Sequence, residues 1–465
     1  MTKKILIVGN GPAGMSAVGA AKLTDRKAEI TVVDKKKYDT FHPCAMPFVI
    51  GGYLQSINLI IEDLNYGMMG VDLIGDAEVT NVDIKKKKAF VKEGAEGEEE
   101  VIDYDQLILC TGSYAFIPPI PGKDLKNVFS LKWIEDAKAI LEAIKEAEEE
   151  IVQKVIVVGG SAIGIEVASE LSHRGRDVTI IEMEPQLMPF KASENFAKEI
   201  KKELIKTGVK VQEGMRLKEI IGEEKVRRVC YGHERTEVTI DADIVILATG
   251  VRPNVKLAEK IGVELGKYHA IKVNERMETN IKGIYAAGDC VQVKNIATGE
   301  DSLALFAGPA VRQGRVAGMN AAGGSEKYLG TVNSALVSSR TFFLGLVGLN
   351  ADQAKEMDIP YVKGKVTAPV KPHYMPTSSE ITIQLIAHEE DGKILGAEIL
   401  GKEKVDANVN YVALAIQNDM TVYDLMDIDF CYAPAVSETI YPIVIAADAI
   451  IRRLERKKAR AKKKK

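Results

Sequence analysis

Two stretches of the chain are built on one plan, and that plan narrows the folds open to it. Residues 4–34, "KILIVGNGPAGMSAVGAAKLTDRKAEITVVD", and residues 154–182, "KVIVVGGSAIGIEVASELSHRGRDVTIIE", each run apolar strand, glycine turn, helical stretch, second apolar strand and terminal acid. About thirty residues is the length of one βαβ unit, whose parallel strands need helices on both faces of their sheet. In the first unit, Gly9 makes the tight turn, Gly11 lets the backbone approach a pyrophosphate, and Gly14 permits close helix packing. Pro12 and Ala13 complete that turn. Asp34, twenty residues beyond Gly14, accepts the adenosine ribose hydroxyls of a bound dinucleotide, with Lys35 beside it.

The second unit carries Gly159, Ser161 and Gly164, so serine replaces the middle glycine; Ile163 and Glu166 open its helix. Glu182 ends the following strand, eighteen residues after Gly164. A carboxylate there bonds a free ribose and repels a 2′-phosphate, and no Arg follows closely, so NADH is favoured over NADPH. Each unit is followed by a strand ending in a Thr-Gly turn, at Thr111 and Gly112 and again at Thr249 and Gly250. Later, "TNIKGIYAAGDC" reads as a strand delivering Gly288 and Asp289 to the start of a helix. Two separate blocks then build the first domain, with the second inserted between them. The stretch "EDAKAILEAIKEAEEE" before the second unit reads as a charged surface helix.

From about residue 328 the phosphate turns cease. "SEITIQLIAHEEDGKILGAEILGK" reads as two strands joined at Asp391 and Gly392, with helical patterns near 405–419 and 437–455, an α+β domain suited to holding subunits together. The expected architecture is therefore α/β: two Rossmann-like domains plus a C-terminal α+β domain.

With 465 residues and 46% apolar content the chain has ample material for packed cores. Its formal charge is −4, but residues 452–465 carry ten Lys or Arg against one Glu, so the body is strongly acidic. That balance argues against a nucleic-acid surface, and the tail reads as solvated. The absence of an eighteen-residue apolar run argues against a membrane span. Five cysteines without a C-x-x-C pair fit reduced thiols and a cytoplasmic setting.

One of them stands apart. Cys44, in "TFHPCAMPFVIGG", lies about ten residues after the second strand at the start of a helix, a position that lowers a thiol pKa. Cys110, Cys230, Cys290 and Cys431 read as packing residues, and His42 as a turn residue.

Taken together, these features resemble the FAD-dependent pyridine nucleotide-disulfide oxidoreductases over the whole chain, and within them the coenzyme A-disulfide reductase and NADH oxidase branch, which uses a single redox cysteine. A partner cysteine five positions after Cys44 would fall on Val49, and a C-x-x-C pair on Pro47, so neither internal disulfide of related groups is available. Pro12 stands where the peroxidases and water-forming oxidases place a histidine. Pro43 and Ala45 flank Cys44 where members commonly carry Asn and Gly, and Ala435 replaces a second proline. Tyr374 in "HYMPTS" and Tyr432 in "YAPAVS" are similar to two C-terminal tyrosines that reach the thiol of the partner subunit. "FAGPAVRQGRVAGMNAAG", including Ala307, is similar to the helix under the flavin.

The resemblance implies an FAD-binding domain at 1–119 and 252–327, an NAD(H)-binding domain at 120–251, and a dimerisation domain with its basic tail at 328–465. It implies that Thr111, Gly112, Gly250, Gly288 and Asp289 hold cofactor, that Asp289 accepts a ribitol hydroxyl at a helix N-terminus, and that Glu166 stands on the nicotinamide side. Electrons would pass from NADH through FAD to Cys44, with coenzyme A as substrate or mixed disulfide and Tyr374 and Tyr432 supplied across a homodimer. Two other outcomes stay open: an NADH oxidase cycling Cys44 through sulfenic acid, and a flavoprotein redox sensor without turnover. No metal site is expected.

Overall fold

The computed structural model describes residues 2–94, 97–146 and 153–464. Helices are numbered along the chain: α1 (Pro12–Thr24), α2 (Met46–Ile50), α3 (Ile134–Lys145), α4 (Ala162–His173), α5 (Glu194–Lys206), α6 (Lys256–Lys260), α7 (Ala307–Ala321), α8 (Ala351–Glu356), α9 (Val405–Gln417), α10 (Val422–Met426) and α11 (Pro442–Lys464).

The first parallel sheet orders its strands Ile284–Ala286, Gln106–Leu109, Lys4–Val8, Glu29–Val33 and Val71–Ile74. The second orders Val128–Ser130, Ile244–Leu247, Lys154–Val158, Asp177–Ile181 and Lys210–Gln212 in the same sense. The central strands are near-continuous runs of Val, Ile and Leu because both faces are covered. A strand from beyond the second sheet returns to the edge of the first, as the two-block reading requires. The likeness goes further than the motifs, since each unit is followed by a separate three-stranded antiparallel sheet, Ala77–Asp83, Lys88–Glu93 and Glu99–Asp103 in one case and Arg216–Gly222, Val226–His233 and Thr236–Asp241 in the other.

α1 and α7 lie against each other because α7 has glycine at the crossing: a Cβ on Gly314 or Gly318 would strike the carbonyl of Ala13 or Ala17. α3 buries Ile134, Ala137, Ile140, Ala143 and Ile144, so the expected surface helix is amphipathic; the end of its charged stretch, from residue 147, lies outside the described residues.

The C-terminal domain is a five-stranded antiparallel sheet covered by α9 and α11. The predicted hairpin is present as Glu380–His388 and Ile394–Gly401, with Gly392 at φ +76°. The final helix starts at Pro442, later than predicted, because residues 431–441 form an irregular loop.

One local expectation is overturned. Asp289 does not open a helix: it sits in a turn that leads into the strand Val291–Lys294. The alternating "VQV" that follows favours extended backbone, and the next helix is α7.

Candidate active site

The two glycine turns repeat each other bond for bond. Gly9 and Gly159 have φ of +104° and +109°, and a Cβ on either would collide with a carbonyl of the strand-end residue beside it, Cys110 or Ala248. The N–H groups of Gly9 and Gly159 donate to Val33 and Ile181. The next N–H in each turn, of Asn10 or Gly160, donates to the terminal acid, Asp34 or Glu182. Gly11 and Ser161 occupy the same N-cap position at φ −89°, ψ −168° and φ −89°, ψ −173°, extended backbone that any residue adopts. The serine therefore carries no backbone strain, and its hydroxyl makes no cap bond to its own helix.

Whether the turns fit dinucleotides is answered by Gly11. An added Cβ there meets no protein atom, so the fold itself does not demand glycine at the mouth of α1. The open cradle and α1's first N–H groups, none capped by a side chain, match a pyrophosphate. Pro12 begins α1 and Ala13 is buried beneath it. Ile163 is exposed in the first turn of α4. α7 begins at Ala307 with no side-chain cap.

Both terminal acids are anchored. Lys36, which the sequence reading passed over, places its ammonium 2.8 Å from Asp34 Oδ2 and is itself buried, while Lys35 pairs with Glu78 at the surface. Glu182 accepts from Gly160 at 2.5 Å and from Glu184 at 2.7 Å; burial pushes its pKa up, against those bonds.

The two Thr-Gly turns are the crossover between the nucleotide domains. Thr111 Oγ1 donates to the Asn254 carbonyl at 2.6 Å and Thr249 Oγ1 to that of Phe116 at 2.5 Å. Gly112 and Gly250, at φ +66° and +94°, start the paired strands Ser113–Ala115 and Val251–Pro253. The Thr hydroxyls thus tie the two connections together.

At this crossover a charged cluster forms, and two of its members, Lys132 and Asp289, act electrostatically on Cys44. Ser113 Oγ donates to Asp289 Oδ2 at 2.7 Å, and Lys132 Nζ donates to Ser113 Oγ at 2.8 Å while standing 3.9 Å from Asp289. Asp136, in the first turn of α3, accepts from the Lys132 N–H at 2.7 Å and so fixes where that lysine starts. The turn before Asp289 is held by Gln313 of α7, which accepts from Gly288 at 2.8 Å.

Cys44 is exposed, in the one-turn 3-10 helix Pro43–Ala45 that leads into α2. Its thiol pKa lies above the ordinary value, raised first by burial of the sulfur among protein atoms, then by Glu166, while Lys132 lowers it and Asp289 raises it. The predicted lowering by a helix N-terminus is not found, because a single 3-10 turn and the five-residue α2 align too few peptide dipoles to outweigh desolvation. Glu166 accepts from the Ser338 N–H at 3.0 Å, and its pKa is raised to about 7, chiefly by burial. His42 pairs with Glu62 at 3.0 Å, a link between the short strands Thr40–Phe41 and Ile61–Glu62.

Tyr374 and Tyr432 lie side by side on the exposed surface of the C-terminal domain, and the pKa of Tyr374 is raised chiefly by its hydrogen bond to Tyr432. Cys110, Cys230 and Cys290 are buried as expected, but Cys431 is exposed, because it stands in the same loop as Tyr432. Among the described residues no His, Cys, Asp and Glu group could hold a metal ion, and no helix is long and apolar enough to cross a membrane.

Two joined dinucleotide folds, an exposed cysteine and an antiparallel C-terminal domain are the parts of a nucleotide-dependent oxidoreductase. The family model "pyridine nucleotide-disulphide oxidoreductase" matches residues 3–314, and the dimerisation-domain model of that family matches residues 340–442. The chain belongs to the pyridine nucleotide-disulphide oxidoreductase family. It is 40% identical to an NADH oxidase of Methanocaldococcus jannaschii, over 98% of this chain and 100% of that one. It is 29% identical to an NAD(P)H coenzyme A polysulfide/persulfide reductase of Pyrococcus horikoshii, over 96% and 98% of the two chains. Among solved structures, an NAD-dependent persulfide reductase from A. fulgidus aligns with a TM-score of 0.92 at 29% identity, over 97% of this chain and 84% of that one.

Proposed function

We propose that the protein is an NADH-dependent flavoprotein reductase of coenzyme A disulfide or of a related low-molecular-weight disulfide, persulfide or polysulfide, with Cys44 as its redox thiol. One observation carries this reading: Glu166 from the second nucleotide domain, and Lys132 and Asp289 from the crossover, all act electrostatically on Cys44, a residue open to solvent whose sulfur is partly covered by protein atoms. The Gly9–Gly14 turn and Asp289 would hold FAD, which when bound would supply two-electron chemistry between NADH and the thiol.

The side chains supply positioning and proton control. In the resting enzyme Cys44 is joined to the substrate thiol as Cys44–S–S–R. Two electrons and one proton cleave that bond, releasing RSH and leaving the Cys44 thiolate, whose charge Lys132 balances. The thiolate attacks the next disulfide RSSR, a new S–S bond forms, and RS⁻ leaves. Tyr432 protonates the departing RS⁻, with Tyr374 holding its phenol in place, and both come from the partner subunit of a homodimer. Each turn thus converts RSSR, NADH and a proton into two RSH and NAD⁺. Glu182 disfavours the 2′-phosphate of NADPH.

A second reading has one observation behind it, the name of the 40% identical relative. As an NADH oxidase the enzyme would cycle Cys44 through sulfenic acid with dioxygen as acceptor. Mass spectrometry of the unreduced protein separates the two. Coenzyme A or another thiol in disulfide linkage to Cys44 is expected, whereas a sulfenic acid there favours the oxidase, and an unmodified thiol whose serine variant retains all turnover sinks both.

A further inference from the structure

Away from both glycine turns, an open cleft of about 350 Å³ separates the second nucleotide domain from the C-terminal domain. α5 forms one wall with Lys198 and Glu199; the edge strand Tyr361–Pro369 and α11 form the other with Lys363, Lys365 and Arg453. Four cations face a single carboxylate, in a chain whose net charge is −4. Two of the four are already balanced: Lys198 pairs with Glu194 at 2.7 Å, and Lys365 with Glu199 at 3.7 Å across the cleft. Lys363 has no carboxylate within ion-pair distance among the described residues, and the Arg453 guanidinium donates to the Lys363 carbonyl.

The floor explains why the positive charge stays at the front. Lys365, Gln384 and Glu398 are directly opposite one another on three adjacent strands, so their side chains share one face of the sheet. Glu398 is fully buried, and its carboxylate is taken up by the Ser193 N–H at 2.6 Å, the Ser193 hydroxyl at 2.7 Å and the Gln384 amide at 2.6 Å. This acid is held behind the cleft by neutral donors, leaving Lys363 and Arg453 as uncompensated cations at the opening.

We propose that the cleft is a binding site for a small, multiply charged phosphate compound, of the pyrophosphate or nucleoside polyphosphate class. Its volume lies in the range of small-molecule sites. An arginine fork beside lysine point charges is the side-chain set that phosphate oxygens select. The site stands apart from the thiol chemistry and does not depend on it. Its occupant would clamp α5 to the C-terminal sheet.

The test is titration calorimetry of the FAD-loaded protein with inorganic pyrophosphate, ATP and coenzyme A at constant ionic strength, with sulfate as reference. Saturable binding of pyrophosphate and ATP, tighter than sulfate, is expected. The double variant Lys363→Glu/Lys365→Glu should weaken it about tenfold or more, the equivalent of 1.4 kcal/mol or above, with unaltered flavin content and NADH turnover. Lys363→Gln, which adds no repulsion, should show a smaller loss in the same direction and guards against misfolding of the double variant. Binding unchanged in both variants, no saturable binding, or affinity no better than sulfate would overturn the proposal. So would phosphate-ligand binding lost in Cys44→Ser but retained in the Lys363 variants, which would place the phosphates at the thiol site.

Discussion

The backbone N–H of Ser338 donates to Oε1 of Glu166 at 3.0 Å, tying α4 of the second nucleotide domain to the first strand of the C-terminal sheet. Despite that bond, burial keeps the Glu166 carboxyl raised from 4.5 to about 7, with Glu170 adding to the effect. The folded state therefore binds more protons than the unfolded state between those two values. The contribution of Glu166 to stability is fully present below the lower value and is lost as pH rises through about 7. Wild type is expected to lose on the order of 3 kcal/mol across that window relative to Glu166→Gln. Chemical denaturation of both proteins on either side of the window checks this, and parallel pH profiles would contradict it.

Gly11 and Gly14 should fail in different ways. Alanine at Gly14 would strike the Gly9 carbonyl, so Gly14→Ala is expected to give little folded protein. Alanine at Gly11 meets no protein atom, so Gly11→Ala should fold normally yet bind FAD weakly. Circular dichroism with flavin absorbance of the purified variants distinguishes these outcomes, and full flavin content in Gly11→Ala would remove the pyrophosphate from that turn.

Glu182 supports the fold as well as cofactor choice. Its carboxylate accepts from two backbone N–H groups while almost fully buried, so Glu182→Ala is expected to cost about 2 kcal/mol. The same variant should narrow the preference for NADH over NADPH. Thermal melts and the two kcat/KM values measure both effects, and unchanged selectivity would reduce the acid to a structural clamp.

The exposed tyrosine pair predicts a separation of half-reactions. Tyr432→Phe should lose disulfide turnover by about 10²-fold while flavin reduction by NADH keeps its wild-type rate. Tyr374→Phe, which removes the hydroxyl hydrogen-bonded to Tyr432, should show a smaller loss. Stopped-flow reduction beside steady-state turnover reads both, and equal losses in the two assays would point to a folding defect.

The parts legible in the sequence are those whose physics is local. A strand, a glycine turn, a helix and an acid lie within some thirty residues, so both turns and the terminal acids Asp34 and Glu182 can be located from the sequence alone, whereas Glu166 is marked only by the family resemblance. Ser161 is tolerated because its backbone is extended, as at Gly11. Ser113, Lys132 and Ser338 carry no local signal because their partners lie across the fold: Ser113 meets Asp289 176 positions away, and Ser338 meets Glu166 172 positions away. Lys36 bonds Asp34 only two positions away, but nothing in the run Lys35, Lys36, Lys37 marks which lysine turns inward. The helix expected at Asp289 is absent because Val291 and Val293 extend the chain, although the Gly288–Asp289 turn looks like a helix start. The raised Cys44 pKa had no local signal either, since burial outweighs anything the neighbouring residues announce.

The central claim is that Cys44 is the electron outlet of the flavin, and anaerobic titration of the purified holoenzyme with NADH tests it most directly. Wild type should consume one equivalent of NADH more than Cys44→Ser before its flavin is fully reduced, releasing a small thiol as it does so. The serine variant should still bind FAD and accept hydride but fail to reduce any disulfide. Equal NADH consumption by the two proteins, with disulfide turnover intact in Cys44→Ser, would contradict the account.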